Sequence, residues 1–102
     1  MNIEEIIMQI IAGAGNARSY AIEAIRDARE GRFEDAQEKL DEAAKATNEA
    51  HKAQMDLLVE EANGNNVPIS LLMVHAQDYI MNALTVCDLA AEMIENMKQN
   101  KK

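Results

Sequence analysis

Two histidines, one cysteine and an oddly placed carboxylate are the side chains of this sequence whose types and spacing could do chemistry. His75 and Asp78 stand three residues apart in Met73-Val74-His75-Ala76-Gln77-Asp78, a spacing that places both on one face of a helix. Ser70 precedes His75 by about one turn and has the chemistry of an N-cap. The positive pole of a helix start suits an anion, although the effect fades beyond the first turn. An imidazole there is able to act as a nucleophile; the alternative is a surface or packing histidine with no chemistry. Asp78 shares its face with Leu71, Val74 and Met81, where a buried carboxylate needs a cation or a proton. If several copies of the chain met about an axis, their Asp78 side chains would converge, and like charges that close cannot all stay ionised unaided. A divalent ion held by oxygen ligands in the manner of magnesium is one resolution, protonation is another, and an ordinary exposed aspartate is the third reading.

The other candidates exclude more than they propose. His51 lies beside a helical seam in Ala50-His51-Lys52-Ala53-Gln54, and neither histidine has a glutamate three residues before it, so the Glu-x-x-His signature of di-iron bundles is absent. Gly13-Ala14-Gly15-Asn16-Ala17-Arg18 has neither the lysine nor the preceding strand of a phosphate loop. Each of its glycines weakens a helix by roughly 1 kcal/mol relative to alanine, which asks for a reason such as the close approach of another backbone. Cys87 is the single cysteine; it permits no disulfide framework or thiolate cluster, which fits a reducing cytoplasm.

The elements that must position these residues follow from punctuation. Four glycines and one proline divide 102 residues into three long stretches of helix formers. The first opens at Asn2, with Glu5 three residues on as a capping box, and carries Ile3, Ile7, Ile10, Ala14, Ala17, Ala21, Ala24 and Ala28 at helical spacing until Gly31 stops it. The second runs from near Phe33 to Asn63-Gly64, with a seam of Ala36, Leu40, Ala43, Thr47, Ala50, Gln54 and Leu57. Asn63 to Pro68 is the one real loop, and Ser70 caps a third helix ending near Lys98. The third helix keeps a strict heptad in two rows, Met73, Ile80, Cys87, Ile94 and Ala76, Ala83, Ala90, Met97. The expected fold is all-α, a single domain over residues 1–102 with three helices running up-down-up. The back of the third helix also shows Leu71, Val74, Met81 and Leu89 beside His75, Asp78, Asn82 and Thr85. Apolar residues on both sides imply two contacts, the core and a subunit interface.

Composition narrows the partners. With 18 acidic against 10 basic residues the net charge is −8, which disfavours phosphate backbones and anionic lipid surfaces. The only basic cluster, Lys98, Lys101 and Lys102, reads as a solvated helix end, and the alternating charges of Arg26 to Glu42 read as solvated helix faces. No apolar run approaches the roughly 20 residues of a membrane span, and no charged n-region precedes one; the expectation is a soluble chain without a secretory signal. With 3% aromatics and no Trp, the core must be aliphatic.

Together, Ala14-Gly15-Asn16-Ala17-Arg18-Ser19, Glu49-Ala50-His51-Lys52-Ala53-Gln54 leading to Glu61-Ala62, and Met73-Val74-His75-Ala76-Gln77-Asp78 resemble the lactose/cellobiose-type enzyme IIA of the phosphoenolpyruvate-dependent sugar phosphotransferase system. The resemblance covers essentially the whole chain. The sequence departs from the family pattern at Tyr79, where His is frequent, and at Met55, where Thr is common. The resemblance implies a cytoplasmic phosphotransferase component in which His75 takes a phosphoryl group, through Nε2, from the histidine phosphocarrier protein and passes it to a cysteine of the IIB component during uptake of a β-linked disaccharide. It also implies a homotrimer, Asp78 gathered around a magnesium ion at the three-fold axis, and Gln77 as a candidate support for the phosphoryl oxygens. Two other classes stand beside it. A histidine phosphotransfer domain of signalling usually has Lys and Gly shortly after its histidine, where this chain has Ala-Gln-Asp-Tyr-Ile. A structural oligomerisation bundle would make His75 incidental.

Overall fold

The computed structural model describes residues 2–101 and consists of three helices, α1 (Ile3–Arg29), α2 (Phe33–Ala62) and α3 (Leu71–Gln99). They lie side by side in a rod of 57 × 19 × 18 Å. α2 returns along α1, so that Gly13 lies by Ala46 and Ala50 while Lys39 reaches Glu23 and Asp27. α3 runs back parallel to α1 and packs on it far more than on α2. The expected all-α, up-down-up arrangement is what the chain adopts.

Each helix starts and stops for a local reason. The Asn2 side chain accepts from the Glu5 amide at 3.2 Å, and Ser70 Oγ accepts from the Met73 amide at 3.1 Å, satisfying donors that a helix start leaves free. α1 ends in a Schellman pair: the Gly31 amide bonds the Ala28 carbonyl and the Arg32 amide bonds that of Asp27. α2 ends identically, with Gly64 to Glu61 and Asn65 to Glu60. Gly31 and Gly64 sit at φ +82° and +87°, where a Cβ is penalised, so both stops depend on glycine.

The core follows the seams. Ile7, Ile10, Ala14, Ala17, Ala21, Ala24 and Ala28 of α1 are buried, as are Ala36, Ala43, Ala50 and Leu57 of α2 and Met73, Ala76, Ile80, Ala83, Ala90 and Ile94 of α3. Ala46 and Ala53 widen the buried stripe of α2. Ile10, Ile80 and Ile94 are the largest fully buried side chains; alanine supplies most of the rest, which lets helix axes approach closely. At Gly13 the approach is close: a Cβ built there would stand 3.0 Å from Ala50 Cβ and 3.1 Å from the Ala46 carbonyl oxygen. This is the expected backbone contact. Gly15 differs, since what fills the space beside it is the Tyr79 side chain and not a backbone.

One surface expectation needs correction. Between Arg26 and Glu42 the charges are not all solvated faces: Asp27 takes a 3.0 Å hydrogen-bonded ion pair from Arg32, and Lys39 bridges it to Glu23 at 3.5 and 3.6 Å. The Arg32 guanidinium holds the Asp27 carboxyl below its ordinary pKa, with Lys39 adding to the effect. This cluster ties the start of α2 to the end of α1. The basic tail is exposed at Lys98 and Lys101, as expected, and Lys101 also sits over the Phe33 ring, 5.4 Å from its centroid, a cation–π contact to α2. Lys102 lies outside the described residues.

Candidate functional site

α3 carries His75 and Asp78 on the side turned away from α1 and α2. Both are exposed, because the heptad rows that pack inward include Met73, Ala76, Ile80 and Ala83 and leave positions 75 and 78 opposite. Ser70 fixes the first turn, so the register of this outer row is set five residues before His75. Asn82 Nδ2 donates to Asp78 Oδ2 at 3.5 Å, and Thr85 Oγ1 donates to the Met81 carbonyl at 3.2 Å. Interleaved with these polar groups are Leu71 at 87%, Val74 at 52%, Met81 at 57% and Leu89 at 57% exposure. A row of four large apolar side chains left this open is an incomplete surface. Leu72 and Ile69, at the helix start, are exposed too.

The His75 ring is not isolated on this face. Tyr79, one turn on, stacks against it with centroids 5.6 Å apart and planes 22° from parallel. Gln77 is placed differently from His75 and Asp78. It is half-buried toward α2, where Gln54 Nε2 donates to its Oε1, and its own Nε2 faces Met73 Sδ at 3.8 Å. Positions 75 and 77 do not face one another on a helix, so the Gln77 amide braces α3 on α2. His51 is exposed on α2. Asn16, Glu49 and Lys52, from the other motif stretches, line an open groove between α1 and α2 together with Gly13 and Ala53.

Cys87 is half-buried against α1 and α2, its thiol directed at the Ala17 carbonyl at 3.6 Å and meeting Thr47 Oγ1 at 3.9 Å. Burial pushes that thiol above its ordinary pKa, which makes it a packing group and a poor nucleophile. Among the described residues no three His, Cys, Asp or Glu side chains converge as a metal site. Asp78 offers one hard oxygen group per chain, open to solvent and bordered by apolar side chains. That donor suits an oxygen-preferring divalent ion only if further copies supply the remaining ligands.

The stacking of Tyr79 and the Gln54–Gln77 bridge are the two features that sequence reasoning missed. The i, i+4 spacing of His75 and Tyr79 was the available signal for the first. Facing glutamines on two antiparallel helices carry no comparable mark in a sequence.

Fold and face define a class: a three-helix bundle that offers one histidine from an exposed, partly apolar helix face. The family described as "PTS system, Lactose/Cellobiose specific IIA subunit" matches residues 5–98, and the chain belongs to that family. It is 52% identical over 93 residues to the lichenan-specific phosphotransferase enzyme IIA component of Bacillus subtilis, covering 91% of this chain and 84% of that protein. Among solved structures it is similar to the cellobiose-specific enzyme IIA of Bacillus anthracis, with a TM-score of 0.93, 45% identity and coverage of 97% and 91% of the two chains. It is similar also to a chain in the solution structures of the IIA(chitobiose)–HPr complex of the Escherichia coli phosphotransferase system, with a TM-score of 0.85, 34% identity and coverage of 100% and 99%.

Proposed function

We propose that this chain is the IIA phosphoryl carrier of a sugar phosphotransferase system and that His75 is the residue phosphorylated. The observation that carries the reading is the exposed imidazole of His75 on the outer face of α3, in a chain whose family is phosphotransferase IIA. His75 Nε2 attacks the phosphorus of the phosphohistidine on the histidine phosphocarrier protein; the donor's P–N bond breaks and its electron pair returns to the donor imidazole. In the second transfer a cysteine of the IIB component attacks the same phosphorus and the His75 P–N bond breaks. Such transfers pass through a loose, in-line transition state, so the protein contributes placement and electrostatics. Leu71, Leu72 and Val74 beside the histidine provide an apolar rim that excludes water from a docked complex. Both partners must reach one imidazole and therefore compete for that rim. Gln77 serves by bracing α3 through Gln54; direct support of the phosphoryl oxygens would require it to leave that partner.

The assembly proposed is a homotrimer of single IIA domains meeting along the part of the outer row of α3 that lies beyond His75, supported by the exposure of Met81 and Leu89 on either side of Asn82 and Thr85. It brings three Asp78 carboxylates together. A magnesium ion among them would neutralise their repulsion, and the residues that hold it would be the Asp78 side chains of the three subunits, each backed by Asn82. The substrate class is a β-linked disaccharide of the cellobiose, chitobiose or lactose type, and the compartment is the cytoplasm, in keeping with the absence of any helix long and apolar enough to cross a membrane among the described residues.

The test is labelling with phosphoenolpyruvate, enzyme I and the phosphocarrier. The wild-type chain is expected to gain an acid-labile, base-stable phosphate that His75→Ala loses entirely. A label that persists in His75→Ala moves the site elsewhere, and no label on the wild type rejects the carrier role.

A further inference from the structure

Tyr79 is the one side chain touching His75 for which phosphoryl transfer, as described, has no use. Its ring stacks on the imidazole, and at the other end its hydroxyl is set into α1. A methyl group built at Gly15 would meet the Tyr79 oxygen at 3.2 Å and two ring carbons at 3.6 and 3.7 Å, and nothing nearer than these. Gly15 has no positive φ, so the backbone of α1 does not require glycine there. What requires it is the end of the Tyr79 ring. Half-buried Tyr79 thus spans from a slot in α1 to the exposed imidazole on α3.

We propose that Tyr79 is a positioning residue for His75: with the end of its ring seated in the space Gly15 leaves, it restricts the imidazole to one orientation on an otherwise open helix face. The inference rests on His75 being the phosphoryl acceptor. An exposed histidine samples several staggered rotamers and a broad ring torsion, whereas in-line transfer needs one. An offset aromatic stack favours one arrangement over the unstacked alternatives by about two- to tenfold. That is the rate advantage expected of Tyr79, and it belongs to kcat, because the partner's docking surface is unchanged.

The experiment compares Tyr79→Phe, Tyr79→Leu, Gly15→Ala and the double variant Gly15→Ala with Tyr79→Phe. Two readings are taken on each: the initial rate of phosphoryl acceptance from the phosphorylated phosphocarrier over a range of its concentrations, and the His75 ring-proton NMR shifts. Tyr79→Phe keeps the stack and is expected to hold both near wild type. Tyr79→Leu is expected to lower kcat about two- to tenfold at unchanged KM and to move the ring protons out of the tyrosine ring current. Gly15→Ala pushes on the hydroxyl and is expected to disturb rate and shifts. The double variant, lacking the oxygen that the new methyl would meet, is expected to restore both. Wild-type rate and ring-proton shifts in Tyr79→Leu, or a double variant no better than Gly15→Ala alone, overturn the proposal. If the wild-type chain takes no phosphate, the carrier role fails, and the ring-proton shifts of the same variants still decide whether the tyrosine fixes the histidine.

Discussion

Gly13 and Gly15 are two residues apart on one helix, yet alanine is expected to act oppositely at them. In both cases the helix gains roughly 1 kcal/mol from the change in intrinsic propensity. At Gly13 the new methyl would lie 3.0 Å from Ala50 Cβ, 3.1 Å from the Ala46 carbonyl oxygen and 3.3 Å from the Ala50 amide nitrogen. Carbon atoms pack best at about 3.5–4.0 Å, so α2 has to retreat by roughly half an ångström. Two of the three nearest atoms are backbone, and the third is a methyl with no rotamer to change. A retreat of that size loosens the buried cluster that Ala14 and Ala17 share with Ala46, Ala50 and Ala53, and overpacking of this kind costs about 1–3 kcal/mol. The cost exceeds the gain, and Gly13→Ala is expected to lose about 1 kcal/mol net. For a domain of this size that is a fall of about 4–8 °C in Tm. The assay is thermal unfolding by circular dichroism at one protein concentration, since self-association feeds into Tm. Gly15→Ala is the control, because only the end of the Tyr79 ring has to move; it is expected to keep or raise Tm. Equal rises in both variants would refute the reasoning, since they would show that the seam yields without cost.

Asp78→Leu is expected to leave the proposed trimer intact or more stable, because replacing clustered buried charge by apolar side chains is neutral or stabilising by about 1–4 kcal/mol; collapse to monomers in light scattering, not rescued by magnesium, would show that the carboxylate makes a required contact. The Arg32–Asp27 pair predicts a pH dependence. Arg32 lowers the Asp27 pKa in the folded state, so its stabilisation is present above the unfolded value near pH 4 and disappears as pH falls through the lowered one. The Tm gap between wild type and Arg32→Ala is therefore expected to be widest near neutral pH and to narrow as pH falls below the ordinary carboxylate range; a gap constant with pH contradicts the assignment.

What the sequence made legible is what period and punctuation encode. Ser70, Asn2, Gly31 and Gly64 mark helix ends by rules that need no tertiary knowledge, and the heptad rows of α3 separate core from outer face before any coordinates. His75 and Asp78 could be placed on a common exposed row for the same reason. Contacts between elements were less visible. Nothing in the spacing of Gly15 distinguishes a slot for a tyrosine ring from the backbone approach found at Gly13, since both depend on which residue of another helix arrives there. Asp27 illustrates a similar limit: its neighbours in sequence alternate in sign like any solvated face, and only the return of α2 brings Lys39 against it. Gln54 looks like an interruption of the α2 seam, and Gln77 like a neighbour of the histidine, until the two are seen to bond each other.

The alanine seams bear on how a partner tells a loaded carrier from an empty one. Ala14, Ala17, Ala43, Ala46 and Ala50 have no torsions to rearrange, and no buried polar side chain among the described residues lacks a hydrogen-bond partner that a new charge might capture. Only a few core side chains, such as Ile10, Met73 and Ile80, have rotamers to change, so the alanine seams give a phosphoryl group on an outer imidazole little to move inside the rod. In the proposed role, the difference between the two states is confined to the negative charge itself and the few side chains around it, and discrimination becomes a task for the docking surfaces of the donor and the acceptor.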